Sequence, residues 1–158
     1  MGAVKKIMRE FEVPSPKYLV GIRTTLKGYQ LAFHLNRMAR SNFKRSKKDT
    51  DLLIENSFLE RYEWIQNDSE NLCDLFASKF YVEKIAEEAT NTFRLIKEDP
   101  LKEVSLLPEF GQFDYFIKTQ YDSILKSLKK TLEKLPQVHM SYVIPQSQIK
   151  TPLNLIFD

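Results

Sequence analysis

The sequence predicts an α+β fold, a mainly antiparallel sheet with two helices packed on one face. Three observations predict it. Two segments, about residues 26–40 and 121–135, carry apolar side chains at the i, i+3, i+4, i+7 spacing of a helix with one buried stripe. Short runs rich in Val, Ile, Tyr, Phe and Trp alternate with a period of two, as half-buried strands do. Their order reads β-α-β, hairpin, β-α-β, and such a chain buries its apolar faces best with the helices on one side of an antiparallel sheet.

The bulk properties agree. At 158 residues the chain is long enough for one domain with a real core. Hydrophobic residues make up 42% and charged residues 28%, the balance of a soluble globular protein. A net charge of +3 is a mild basicity that names no partner by itself. Cys73 is the only cysteine, which excludes an internal disulfide and fits a reducing, cytoplasmic setting. No apolar run approaches the roughly 20 residues of a spanning helix, so no membrane association is expected. Met1–Glu10 lacks the apolar centre of a signal peptide.

In order along the chain, residues 1–16 read as an N-terminal arm that ends in Val13-Pro14-Ser15-Pro16, where closely spaced prolines favour extended backbone. Residues 17–158 read as a single α+β domain. Tyr18–Thr25 is a strand with Tyr18, Val20, Ile22 and Thr24 on one face, while Leu19 and Gly21 give the other little bulk. Thr25 is placed to cap a helix over Leu26–Arg40, with Leu31, Leu35 and Met38 on its buried stripe, widened by Ala32 and Ala39. Phe43 is read as the anchor of a short edge strand or loop. Phe58–Gln66 and Leu72–Val82 form a hairpin around the turn residues Asn67–Asn71. Phe58, Tyr62 and Trp64 share a face of the first strand, and Leu72, Phe76, Phe80 and Val82 a face of the second. Residues 83–100 mix helical spacing with Thr90, Asn91 and Thr92, and are read as a loop closed by Asp99-Pro100; Val104–Leu107 is a short strand.

Leu107–Lys118 is the most distinctive stretch. It reads as a turn and then a strand, with Phe113, Tyr115 and Ile117 on one face and Asp114, Phe116 and Lys118 on the other. A continuous helix from Pro108 to Leu135 also satisfies the spacing of Phe110, Phe113, Ile117, Tyr121, Ile124 and Leu128; Gly111 and the β-rich run Phe113–Ile117 argue for the strand. Tyr121–Leu135 is a helix with Tyr121, Ile124, Leu125, Leu128, Leu132 and Leu135 inward, ended by Pro136. Val138–Ile144 is a strand with Val138, Met140, Tyr142 and Ile144 facing one way. The apolar tail residues Leu153, Leu155, Ile156 and Phe157 are expected to dock.

The residues Leu107-Pro108-Glu109, then Phe113-Asp114-Tyr115-Phe116, resemble the signature of the IPExxxVDY family, small bacterial proteins named for that pattern. Leu107 stands for the isoleucine and Phe113 for the valine, both apolar exchanges. The Leu26–Phe33 run, the Trp64 strand, Ser141-Tyr142 after Pro136, and Asn154-Leu155-Ile156-Phe157 extend the resemblance over most of the chain. The resemblance implies a cytoplasmic bacterial protein and implies no reaction.

Candidate chemistry is sparse. Glu109 and Asp114 are a possible acid pair across a turn, but acid–base work needs carboxylates converging on one substrate. The plainer reading has Glu109 capping a turn and Asp114 paired with a cation. His34 and His139, the only histidines, have no metal-ligand spacing around them, and Cys73 has no partner thiol. Gly2, Gly21, Gly28 and Gly111 are too scattered for a phosphate loop. No catalytic residue, metal or cofactor is assigned. The strongest surface signal is Arg37, Arg40, Lys44, Arg45, Lys47 and Lys48 around Phe43, cations that suit a phosphate backbone with one ring for stacking. The expected function is a non-enzymatic interaction module that binds a protein partner or itself; the alternative is a small RNA-binding accessory protein using the 37–48 patch.

Overall fold

The computed structural model describes residues 16–46, 57–67, 70–83, 101–151 and 155. In chain order the elements are β1 (Tyr18–Thr24), α1 (Gly28–Met38), β2 (Lys44–Arg45), β3 (Ser57–Phe58), β4 (Arg61–Gln66), β5 (Glu70–Ala77), β6 (Lys79–Glu83), β7 (Leu101–Ser105), β8 (Tyr115–Thr119), α2 (Asp122–Lys134) and β9 (Val138–Ile144). Short 3-10 turns cover Pro108–Phe110 and Gln146–Gln148. A six-stranded sheet runs β2-β4-β5-β8-β1-β9, and a second sheet runs β3-β6-β7. Every neighbouring pair is antiparallel. The α+β class and the two helices on one face are as the periodicity predicts.

On the helix-covered face, Val20 and Ile22 of β1, Leu75 of β5 and Ile117 of β8 meet Leu31 and Leu35 of α1 and Leu125, Leu128 and Leu132 of α2. The stripe of α2 is the predicted one from Ile124 to Leu135, and the range matches the expected helix to one residue at each end, but Tyr121 is the N-cap and lies exposed rather than inward. α1 is shorter than expected. Thr25 does not cap it; the N-cap is Lys27, whose backbone N–H donates to Gln30 Oε1 at 3.0 Å. Thr24 Oγ1 instead accepts the N–H of Leu26 at 3.0 Å, which delays the first helical turn. At its other end Arg40 adopts a positive φ of 55°, so the helix stops before it, and Met38 lies exposed rather than in the stripe.

The opposite face is also buried, against the expectation from Leu19 and Gly21. Leu19, Phe76 and Phe116 lie there under Leu59, Phe80, Leu106, Leu107, Phe110, Phe113 and Leu155. Phe113 precedes β8 and folds back across Gly21, so it does not share a face with Tyr115 and Ile117. A Cβ at Gly21 would fall 2.6 Å from the Phe113 ring. Glycine is thus the residue that lets this ring lie flat on the sheet.

The predicted hairpin exists as β4 and β5, but both long strands break. Phe58 and Phe80 belong to the second sheet, with the chain leaving the first at Leu59–Glu60 and at Ser78. A bulge sets Ile65 opposite Asn71 and Trp64 opposite Cys73, so Leu72 is the extra residue and turns towards the helices, away from Phe76. A similar irregularity between Arg23 and Thr24 divides β9: Val138 packs towards the helices, whereas Ile144 joins the opposite core and Met140 and Tyr142 share its side. Leu155 is docked, and Lys118 Nζ donates to its carbonyl at 2.6 Å. The expectations for residues 1–15, 84–100, Leu153, Ile156 and Phe157 lie outside the described residues. No helix among the described residues is long and apolar enough to cross a membrane.

Candidate functional site

The residues singled out by the sequence do not gather at one place. Glu109 and Asp114 point to separate tasks. Glu109 accepts the Lys150 N–H at 3.0 Å and the Thr151 hydroxyl at 3.2 Å, which ties the C-terminal segment to the 3-10 turn. Partial burial pushes its carboxyl up, but hydrogen bonds from its own backbone and from Lys150 and Thr151 outweigh this and hold it below the usual range. Asp114 Oδ2 accepts the Thr24 N–H at 2.9 Å, pinning the end of β1, and is bonded there to backbone rather than to a cation. Leu107, Phe113 and Phe116 are core residues, and Pro108 opens the 3-10 turn. Most of the 107–116 signature therefore builds the second core.

The basic stretch is altered too. Phe43 is only 5% exposed, and its ring packs edge-on to Trp64 at 5.9 Å between centroids. The side chain of Asn36 holds its backbone from both sides, accepting the Phe43 N–H at 2.8 Å and donating to the carbonyl at 3.0 Å. Phe43 anchors the edge strand β2 as expected, and for that reason presents no ring for a base to stack on. Arg37, Arg40 and Lys44 are exposed. Arg45 lies over the Tyr62 ring and 3.5 Å from Glu60. Lys47 and Lys48 lie outside the described residues.

A cleft of about 510 Å³ opens where the two sheets diverge, with Lys27, Arg45, Glu60, Tyr81, Asp114 and Tyr115 among its walls. Its polar centre is Glu60, which accepts the Tyr62 hydroxyl at 2.9 Å. Burial, then the neighbouring Glu60 carboxylate, push Tyr62 and Tyr115 up to about 12, so both stay protonated. Gly28 sits at the start of α1 because a Cβ there would lie 2.9 Å from Glu60 Cδ and 3.1 Å from the Tyr115 ring. Glu60 therefore occupies the positive end of the helix dipole. The isolated Gly28 at a helix start was the sequence signal for this close approach; Glu60 itself carried none.

The two edges of the large sheet differ in kind. β2 is two residues long and both are cations, Lys44 and Arg45. β9 is seven residues long, Val-His-Met-Ser-Tyr-Val-Ile, with no Asp, Glu, Lys or Arg. Among the described residues it pairs only with β1. Met140 is 39% exposed, Tyr142 43% and Val143 36%, while Ile144 is buried. Tyr142 stacks on Phe113, nearly parallel at 6.5 Å. On the helix side, Lys129 of α2 donates to the Ser141 carbonyl at 2.7 Å and to its hydroxyl at 2.8 Å. Sequence periodicity found this strand, but its place at an edge follows only from the pairing order.

Cys73 is buried in the helix-side core, and burial pushes its thiol up, the opposite of an activated nucleophile. Among the described residues no three or more His, Cys, Asp and Glu side chains gather as a metal site would require. No family model, curated protein or solved structure matches this chain.

Proposed function

We propose that this chain is a non-enzymatic interaction module, of the IPExxxVDY kind, that binds a protein strand at the edge of β9. The observation that carries this reading is the long, partly apolar edge of β9, which has no Asp, Glu, Lys or Arg in its seven residues. Exposed strand edges offer a row of backbone donors and acceptors to any extended chain, and proteins commonly blunt them with charge, proline or brevity. β2 has both charge and brevity. β9 is long and carries no Asp, Glu, Lys or Arg of its own, the cation at it being Lys129, which reaches Ser141 from α2. Met140, Tyr142 and Val143 add apolar surface of the kind that gives strand addition its specificity. The RNA alternative keeps the exposed cations Arg37, Arg40 and Lys44 but loses the ring of Phe43.

The test is the double variant Met140→Lys/Val143→Lys, which puts charge on both sides of the edge at exposed positions. Sedimentation velocity reads self-association, and fluorescence anisotropy reads binding of a neutral peptide of alternating valine and threonine. Wild type is expected to pair with itself or with the peptide, and the variant to do neither at an unchanged melting temperature. A wild-type protein that stays monomeric and ignores the peptide overturns the reading.

A further inference from the structure

We infer that β9 and the lysines of α2 form one docking surface, fitted to an extended segment of another protein with acidic side chains towards α2 and apolar side chains towards Tyr142. This rests on the reading of β9 as a pairing edge and names the partner's chemistry.

A strand added beyond β9 alternates its side chains between the two sides of the sheet. On one side they come beside Met140 and Tyr142, which are apolar and exposed. On the other they come beside Ser141 and Val143, whose cross-strand partners Ile22 and Val20 face the helices. There Lys129 Nζ sits on the Ser141 carbonyl and hydroxyl, so a cation stands at the middle of the edge. Lys126 lies one turn earlier on α2 and is largely exposed, and Lys130 follows Lys129. The helix carries four lysines, Lys126, Lys129, Lys130 and Lys134, against the two acids Asp122 and Glu133. Asp122 pairs with Lys126 at 2.9 Å and Glu133 with Lys129 at 3.2 Å, so two of the lysine charges are matched within the helix and a surplus of two remains on it.

The same lysines argue against a second copy as the occupant. Two-fold pairing of β9 with itself would set one α2 beside the other and oppose two surpluses of positive charge. An acidic segment meets that surplus with the opposite sign, and charge of this kind selects among partners more than it adds affinity.

Three alternating peptides separate the possibilities: valine–glutamate, valine–lysine and valine–threonine, titrated by anisotropy at about 0.15 M salt, where only close charges act strongly. The valine–glutamate peptide is expected to bind about tenfold more tightly than the valine–lysine peptide. The preference should reverse in Lys126→Glu/Lys130→Glu, whose exposed positions leave the fold intact. Lys129→Glu should reverse it as well. Equal affinity for all three peptides overturns the charge inference while the edge reading stands. A protein that stays monomeric and binds none of the peptides overturns both. Wild-type dimers that resist the peptides make a second copy the occupant and also overturn the inference.

Discussion

The two faces of the large sheet bury comparable apolar clusters by different means. The helix side is closed by α1 and α2, whose stripes recur every three or four residues and meet strand residues that recur every two. The other side is closed by pieces far apart in the chain: Leu59 between strands, Phe80 from the second sheet, Leu106 to Phe113 around a 3-10 turn, and Leu155 near the C-terminus. It also holds charge. Arg61 and Asp74 are buried 3.1 Å apart, Asn71 donates to both oxygens of Asp74, and Lys118 lies 3.7 Å from Asp74. A regular covering can be built from local periodicity, whereas an irregular one depends on each long-range contact. Damage to the first should therefore be global. Damage to the second should be graded and tied to the loop or tail concerned.

The largest effect is expected from Leu128→Asp, which places a carboxylate among residues packed from both helices. Burying it without a partner costs several kcal/mol against a total of roughly 5–15, so the variant should not fold, as read by circular dichroism. A cooperative melt near the wild-type temperature would break the claim that the helix side carries the fold.

Gly21→Ala tests the other face. Its Cβ would meet the Phe113 ring well inside contact distance. Displacing that ring should cost about 1–3 kcal/mol in chemical denaturation and leave the protein folded. Because Phe113 also stacks on Tyr142, amide exchange along β9 should quicken in the same variant. Unchanged stability would show that the second core yields more easily than a packed core should.

The smallest effect is a dependence on pH through Lys118. Burial lowers its pKa from 10.5 to about 8, with Arg61 acting in the same direction and Asp74 opposing. Between about 8 and 10.5 the unfolded chain holds the proton more tightly than the folded one, so this residue makes stability rise with pH across that window and adds no slope below it. Raised values at Cys73, Tyr62 and Tyr115 act the opposite way at high pH, so the comparison is wild type minus Lys118→Met. The difference should amount to ~1 kcal/mol between pH 8 and 9.5 in denaturant melts. A flat difference would place Lys118 in water and loosen its hold on Leu155.

Local pattern in the sequence was enough for α2, for β1 and for the hairpin of β4 and β5, because each repeats its apolar residues at the period of its own backbone. Leu125, Leu128 and Leu132 could face only one way on a helix. Glu109 and Asp114 were visible as distinctive acids, but their partners, Lys150 and Thr24, lie at other points of the chain, and no spacing rule connects them. The same holds for Phe43, whose cationic neighbours suggested a surface ring until Trp64 and Asn36 were brought around it. Bulges at Leu72 and near Thr24 moved side chains between faces, because one added residue reverses an alternation of period two. The sequence by itself determined the two helices, β1 and the pairing of β4 with β5, and that their apolar stripes need a common core; the strand expected over Val104–Leu107 lies instead at Leu101–Ser105, because Leu106 and Leu107 turn into the second core. Tertiary structure alone decided strand order, and with it that β9 lies at an edge beside Lys129. Hydrogen bonds between strands join residues without regard to their separation in the chain, so an edge exists only once every other strand has been placed.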